Sequence, residues 1–275
     1  MPNRKPWLEE LRRQAIVLPI QTDARTKPNK PLGRDVAWLF NYAIGGGQAD
    51  FDQKIEDLTP LNRVMLYAYL NQKAHVDELI CAFDMLLPDL ERFKDATVID
   101  IGCGPFTAGL SLANVVGDRV SYRYFGIDHS STMCAFGENL ALKVLDAGEF
   151  HECTQFSFHQ NIETINFGQK NATEVTIFVL SYLLASETIN VKLLVDQIVA
   201  ARMKVGLGPA VLLYTNTGRI GARRLYPEFM ECLEAAGFKE VVEKTEVFTG
   251  SDKDRSIHYA LFVSPAVAML PLSEF

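Results

Sequence analysis

Hydrophobic residues change their spacing near residue 95. Before that point they recur at intervals of three and four, as at Val76, Ile80 and Phe83, and this spacing predicts amphipathic helices. After it, short runs rich in β-branched and aromatic residues predict the strands of a sheet. These runs cover 98–101, 122–127, 156–159, 175–180, 211–214, 241–248 and 259–263.

Segments with helical spacing lie between most of the predicted strands. They cover 105–115, 131–145 and 226–236. A further helix is predicted to run to Lys204, with Thr188 or Asn190 as its N-terminal cap. Alternating strands and helices predict an α/β fold with a doubly wound, mostly parallel sheet. Right-handed crossovers then bring the carboxyl ends of the parallel strands to one rim, where ligands bind in such folds.

The chain has 275 residues, more than a single domain usually has, so we divide it into two parts. Residues 1–90 are predicted to form a helical extension, and 91–275 the sheet domain. In the extension a short helix is predicted over 6–16. A longer helix is predicted over 61–87. It is preceded by Thr59 and Pro60, residue types that commonly begin a helix.

A run of three glycines, Gly45-Gly46-Gly47, separates the two predicted helices of the extension and breaks regular structure. Aromatic residues lie on both sides of it. We expect part of 36–87 to form a lid over the ligand rim, with at least one aromatic residue at the pocket; the alternative is that this region packs as scaffold on an outer helix layer. The aromatic residues are Trp38, Phe40, Tyr42, Tyr67 and Tyr69.

Composition narrows the class of protein. Hydrophobic residues are 48% and charged residues 22%, which is typical of a globular protein. The sequence contains no apolar run of about 18 residues and no signal-peptide pattern, so we expect a cytoplasmic protein without a membrane partner. The five cysteines show no Cys-x-x-Cys pair, and neither a disulfide framework nor a metal site is indicated.

Charge is unevenly distributed. Residues 1–35 hold eight basic and four acidic residues, a net charge of +4. The rest of the chain carries a net charge of −11, which gives the total of −7. A basic arm on an acidic body could contact phosphate, so an RNA partner is compatible with the sequence. The acidic body disfavours it, and we expect the arm to be a solvated tail.

The most informative stretch begins with the predicted strand 98–101, which Gly102-Cys103-Gly104 follows at once. Asp128 ends the next strand, 28 positions after Asp100, where doubly wound folds hold a ribose diol. The dinucleotide fingerprint requires a third small residue, but Thr107 stands there. The Asp100 carboxylate would also repel a pyrophosphate, and it suits a ligand with an amine or a sulfonium.

The two segments 100–105 and 126–133 resemble the first two motifs of class I S-adenosylmethionine-dependent methyltransferases. This resemblance implies a seven-stranded sheet with an antiparallel last strand, and S-adenosylmethionine as the cofactor. It also implies the residues of the cofactor site. The turn at Gly102, Cys103 and Gly104 would hold the amino-acid part, with Asp100 orienting it. Asp128 would bind the ribose, His129 and Met133 would flank the adenine, and Asn161 would bind its amine. Ser181 would also contact the cofactor.

Methyl transfer in this family takes place at the end of the fourth strand, where the chain reads Ser181-Tyr182. No Pro-Pro pair is present there, which disfavours the amino-methylating enzymes of DNA and some of those of protein. No Pro-Cys pair is present either, which disfavours cytosine C5 methylation. Ser181-Tyr182 loosely resembles a ribosomal small-subunit methyltransferase-like family, but two residues do not assign the subfamily. The catalytic candidates are Ser181, Tyr182, His159 and Glu187.

Simpler interpretations stand beside these. His159 in a strand is more often structural, and Glu187 near a helix start is more often a dipole partner. Arg219, Arg223 and Arg224 could receive a carboxylate or phosphate, or could belong to a solvated loop. The sequence therefore predicts a methyltransferase acting on an O or N atom of a small molecule, an RNA or a protein. The alternative is a non-catalytic module of the same fold that binds an S-adenosyl ligand or a protein partner.

Overall fold

The computed structural model describes residues 3–86, 93–168, 174–206, 208–249 and 254–266. Its centre is a seven-stranded sheet with the strand order β3-β2-β1-β4-β5-β7-β6. The strands are β1 (Ala96–Ile101), β2 (Tyr122–Ile127), β3 (Gln155–His159), β4 (Thr176–Ser181), β5 (Ala210–Thr217), β6 (Lys239–Phe248) and β7 (Arg255–Ser264).

The direction of the strands confirms the predicted doubly wound sheet. β1 pairs in parallel with β2 and β4, β2 with β3, and β4 with β5. β7 lies antiparallel between β5 and β6. Because the chain order reverses between β1 and β4, the carboxyl ends of β1, β2, β4 and β5 form one rim with a crevice at the reversal point.

Helices cover both faces of this sheet. Within the described residues they are α1 (Pro6–Arg12), α2 (Leu18–Thr22), α3 (Val36–Trp38), α4 (Pro60–Tyr67), α5 (Lys73–Leu86), α6 (Thr107–Val116), α7 (Ser131–Asp146), α8 (Val191–Val205) and α9 (Tyr226–Ala235). Short π-helical segments continue α1 into α2, extend α3, and join α4 to α5. Every residue of β1 is buried, as expected for a central strand with helices on both sides.

Local signals located most helix ends correctly. Thr59 and Asn62 form the capping box of α4 with Pro60 at its first position, and Asn190 caps α8. The prediction for the first helix after β1 was wrong by two residues. Phe106 is left-handed at φ 66°, so α6 begins at Thr107 rather than at residue 105.

Part of the predicted extension belongs to the core of the sheet domain. Leu79, Ile80 and Phe83 of α5 are buried in one cluster with Val98 of β1. Earlier residues of the extension form a separate cluster that includes Ile44 and reaches α7. The division at residue 90 falls within 87–92, outside the described residues, and α5 packs as an integral layer of the sheet domain.

The basic arm is folded rather than solvated, which corrects the expectation of a tail. Its first half is helical, in α1 and α2, and its arginines form ion pairs. Arg4 pairs with the buried Asp77 at 2.8 Å, and Arg34 pairs with Asp57 at 2.8 Å. Arg25 binds both Asp23 and Asp57. These intramolecular partners neutralise much of the positive charge that a polyanion would need.

In the described part of the chain, no helix is long and apolar enough to cross a membrane.

Candidate functional site

The glycine turn after β1 has the tight backbone that its sequence predicts. Gly102 has φ +75° and Gly104 has φ +51°, a region that residues with a Cβ rarely adopt. The N–H groups of Gly102 and Cys103 donate to the carbonyl of Ile127 at 2.8 and 3.0 Å. The turn is therefore fixed against the end of β2. A Cβ on Gly102 would lie 2.9 Å from Leu183 Cδ1, so a side chain there would have to displace Leu183.

Asp128 lies directly opposite this turn. Its Oδ2 accepts a hydrogen bond from the Gly104 N–H at 3.0 Å, and its Oδ1 accepts one from the Ser130 N–H at 2.9 Å. Burial raises the pKa of Asp128, while these backbone donors act in the opposite direction. The side chain remains 12% exposed. A carboxylate so placed can accept further hydrogen bonds, because each oxygen has two lone pairs.

A cleft of about 1050 Å³, open to solvent, lies between the glycine turn, Asp128 and the loop after β4. We call it the first cleft. Predicted site residues that line it are Gly102, Gly104, Asp128, His129, Met133, Ser181 and Tyr182. Residues from the extension line it as well, namely Gly47, Gln48, Ala49, Asp50, Phe51 and Tyr67. The structure thus brings the two sequence motifs and the end of β4 together at one pocket.

Two predicted residues lie beneath the first cleft and do not line it. Asp100 is 1% exposed, and its Oδ2 accepts a hydrogen bond from the Tyr124 hydroxyl at 2.5 Å. Burial raises the pKa of Asp100 to about 7. Cys103 is also buried, and burial raises the pKa of its thiol. Both side chains support the turn from below.

Three other predicted residues lie outside the first cleft. His159 Nε2 bonds the Ser157 hydroxyl at 3.0 Å within β3. The Asn161 side chain accepts from the Glu163 N–H and so caps a short 3₁₀ turn. Glu187 is exposed and pairs with Arg224 at 2.8 Å. Each has a local partner that accounts for its position, as the simpler interpretations of His159 and Glu187 suggested.

A segment of the extension crosses the rim and is anchored on both sides of the first cleft. We call residues 44–53 the strap. On one side, Gln48 Nε2 donates to the Ala185 carbonyl at 2.8 Å, in the loop after β4. On the other, Asp52 accepts from the backbone N–H groups of Ser131 and Thr132, both at 2.9 Å. The strap therefore bridges the two sides of the crevice.

Asp52 acts as a cap supplied from a distant part of the chain. The hydroxyls of Ser130, Ser131 and Thr132 also donate to its Oδ1. Burial opposes ionisation of this carboxyl, but the Thr132 and Ser131 donors outweigh it and lower its pKa well below the usual range. A carboxylate at this position also interacts favourably with the dipole of α7.

Arg63 holds the strap from behind. Its side chain is buried and donates to the carbonyls of Ala43, Asp50 and Gln53 at 2.7, 2.5 and 2.5 Å. A buried guanidinium with several backbone acceptors fixes the path of the loop that it contacts.

A second cleft of about 1550 Å³ adjoins the first one. Gly47, Gln48, Tyr67 and Tyr182 line both clefts and form the wall between them. Tyr182 is left-handed at φ 60°, an uncommon conformation for a residue with a large side chain. Its hydroxyl donates to Glu78 Oε2 at 2.8 Å, and Glu78 also pairs with Arg255 at 3.2 Å.

Sequence reasoning did not identify His75 and Glu78, although a signal for them exists. Tyr67, Asn71, His75 and Glu78 recur at intervals of four, four and three in a helix whose other positions are mostly apolar. Such a polar stripe points to one side of a helix. Tyr67, Asn71 and His75 line the second cleft.

In the described part of the chain, no group of three or more histidine, cysteine, aspartate or glutamate side chains could hold a metal ion.

Comparison with known proteins identifies the fold. No family model matches the sequence, and no curated protein sequence matches it. Solved structures do match. The CurJ carbon methyltransferase superimposes with a TM-score of 0.52 at 14% identity, over 94% of this chain and 70% of that one.

Two further solved structures are similar at lower scores. A Leishmania major S-adenosylmethionine-dependent methyltransferase has a TM-score of 0.47 at 12% identity, covering 92% of this chain and 90% of that one. A Synechocystis magnesium protoporphyrin IX methyltransferase with bound S-adenosylmethionine has a TM-score of 0.46 at 15% identity, covering 82% and 89%. The strand order, the antiparallel β7 and the CurJ superposition together show that this chain has the fold of the class I S-adenosylmethionine-dependent methyltransferases.

Proposed function

We propose that the protein is an S-adenosylmethionine-dependent methyltransferase that acts on an O or N atom of its acceptor. The observation that carries this proposal is the pairing of the glycine turn with Asp128 at the inner end of the first cleft. This places a close-approach backbone and a partly exposed carboxylate side by side. An adenosine ligand with a charged amino-acid tail needs both features.

The residues of the first cleft fit an S-adenosyl ligand. Asp128 would accept hydrogen bonds from the ribose hydroxyls, and the backbone at Gly102 and Gly104 would lie against the amino-acid part. His129 and Met133 line the same cleft beyond Asp128, on the side where the adenine would lie. When bound, S-adenosylmethionine supplies an activated methyl group.

The other cleft residues would align the acceptor and exclude water. Ser181 ends β4 and lines the first cleft, and Tyr182, the next residue, lines both clefts. The strap would cover the cofactor from the solvent side. Methyl transfer from a sulfonium depends mainly on proximity and alignment, and a base is needed only when the acceptor atom carries a proton.

Three measurements test this proposal. Mass spectrometry of the purified protein and calorimetry with S-adenosylmethionine should detect binding. Transfer of a tritiated methyl group into small-molecule, RNA and protein fractions of a cell extract should then detect activity. Binding without transfer to any fraction would favour the non-catalytic module. Absence of S-adenosylmethionine binding would contradict the proposal and leave only a module that binds a protein partner.

A further inference from the structure

The second cleft has an aromatic end next to the first cleft. The rings of His75 and Tyr182 stack with centroids 4.0 Å apart and planes 18° apart. Burial, and then the nearby Arg255, lower the pKa of His75 to about 3, so its ring is neutral at physiological pH. Tyr67 and Phe40 also line this cleft. This end can therefore receive a planar ring against neutral aromatic side chains.

The other end of the second cleft carries two arginines. Arg219 follows β5 and Arg255 begins β7, and both line the cleft. The two antiparallel strands meet there because the Gly218 N–H donates to the Ser256 carbonyl at 2.6 Å. A Cβ on Gly218 would lie 2.0 Å from Ser256 Oγ, so glycine is required for this approach. Asp254 lines the cleft as well, and the Glu78 carboxyl accepts from Arg255, so both acids offset positive charge at this end.

The two arginines differ in their partners. Within the described residues, the exposed Arg219 side chain makes no hydrogen bond or ion pair. Arg255 pairs with the buried Glu78, and its side chain is 35% exposed. Arg219 is thus available to an anion, and Arg255 presents a guanidinium whose position is fixed. Guanidinium groups bind carboxylates and phosphates through paired N–H donors.

Glu78 connects the two ends of the cleft. One of its oxygens accepts from the Tyr182 hydroxyl and the other from Arg255. A single buried carboxyl therefore fixes the aromatic wall relative to one cation. Glu78 comes from α5, so the extension of the chain contributes directly to the shape of this cleft.

We propose that the second cleft binds the methyl acceptor, and that this acceptor is a small aromatic or heteroaromatic acid. Its ring lies against His75 and Tyr182, and its carboxylate or phosphate pairs with Arg219 and Arg255. This inference rests on the proposed function, because the acceptor must meet the cofactor at the wall that Tyr182 forms between the clefts.

Calorimetry with four probes tests the inference. 4-Hydroxybenzoate, phenyl phosphate, phenol and 4-hydroxybenzylamine are titrated into the full-length protein, with and without S-adenosylhomocysteine. We expect the two anionic probes to bind at least about tenfold more tightly than phenol and the amine. The comparison of 4-hydroxybenzoate with phenyl phosphate shows which anion the cleft prefers.

Arg219→Gln is the decisive variant, because the exposed side chain can change without disturbing the core. We expect it to weaken binding of the anionic probes about fivefold and to leave phenol binding unchanged. Arg224→Gln is the matched control. Arg224 is also exposed, lies five positions away and pairs with Glu187 outside the cleft, so this variant should bind like the wild type.

Equal binding of charged and neutral probes, binding of none of them, or an unchanged affinity in Arg219→Gln would overturn the inference. If a short single-stranded RNA binds more tightly than any of the four probes and this binding is lost in Arg219→Gln, the inference is overturned in favour of a nucleic-acid acceptor. Failure of the proposed function is separate. If the proposed function is wrong, S-adenosylhomocysteine will not bind, whether or not the probes bind without it.

Discussion

The Gly104 N–H donates to Asp128 Oδ2 at 3.0 Å, which joins the turn after β1 to the end of β2. The same carboxylate lines the first cleft and accepts from Ser130 at the start of α7. One side chain therefore shapes the turn and faces the ligand. Substitutions on either side of this hydrogen bond should affect binding more than they affect the fold.

Gly104→Val should abolish binding of S-adenosylhomocysteine while leaving the protein folded. A Cβ at this position meets no protein atom closer than Tyr67 Cε1 at 3.9 Å, so the added atoms extend into the cleft. Gly148→Val is the control. Gly148 also has a positive φ, of +71°, but a Cβ there meets nothing within 4 Å. Gly148→Val should lose about as much stability as Gly104→Val but bind S-adenosylhomocysteine normally. Tight binding of S-adenosylhomocysteine by Gly104→Val would refute the assignment of the turn.

Asp100 should make the stability of the protein depend on pH. Burial raises its pKa from 3.8 to about 7, so the folded state binds the proton more tightly than the unfolded state does. Its contribution to stability is complete below pH 3.8 and is lost as the pH rises through about 7.

Asp100→Asn cannot ionise and should lack this loss. Its free energy of unfolding relative to the wild type should therefore rise by at least about 1 kcal/mol between pH 5 and pH 8. Burial also raises the pKa of Glu78 to about 7. Glu78 and His75 are common to both proteins, so their contributions cancel in the difference. Urea unfolding of both proteins at the two pH values measures this difference. The same difference in free energy of unfolding at pH 5 and pH 8 would contradict the raised pKa of Asp100.

Asp52→Asn should loosen the strap and destabilise α7. The variant loses the charge that five donors and the helix dipole stabilise, which we expect to cost about 1 kcal/mol of stability. Because the pKa of Asp52 is lowered, its contribution is present above pH 3.8 and disappears as the pH falls. Asp146→Asn, at the other end of the same helix, should have no such cost. Equal melting temperatures for both variants would contradict a stabilising contact between Asp52 and the start of α7.

Hydrogen exchange should show the strap closing over the ligand. Backbone amides of 44–53 should become more protected when S-adenosylhomocysteine binds, together with those around Gly102 and Asp128. The strap already contacts both sides of the cleft, so a ligand between them would restrict its opening. Protection confined to 100–182 would mean that this region is a scaffold.

The sequence predicted the centre of the sheet well because β1 and β4 are short, mostly buried runs with helices on either side. It also located Gly102, Gly104 and Asp128, since a turn and a strand end impose local requirements on residue type. The error at Phe106 arose because a left-handed residue other than glycine has no reliable sequence signal.

Long-range contacts explain what the sequence did not reveal. Asp52 caps a helix that begins 79 positions later, and Glu78 bonds Tyr182 across 104 positions. Neither distance leaves a local pattern beyond the polar stripe in α5. The charge of residues 1–35 was misleading for the same reason, since Arg34 and Arg4 pair with acids outside that stretch.

Calorimetric titration of S-adenosylhomocysteine into the wild type and Asp128→Ala tests the central claim most directly. We predict that the wild type binds and that the variant, shown to be folded by circular dichroism, binds ten- to about a hundredfold more weakly. This range corresponds to loss of a charge-assisted hydrogen bond of about 1.5–3 kcal/mol. Absence of binding by the wild type, or unchanged affinity in folded Asp128→Ala, would contradict the assignment of the cofactor site.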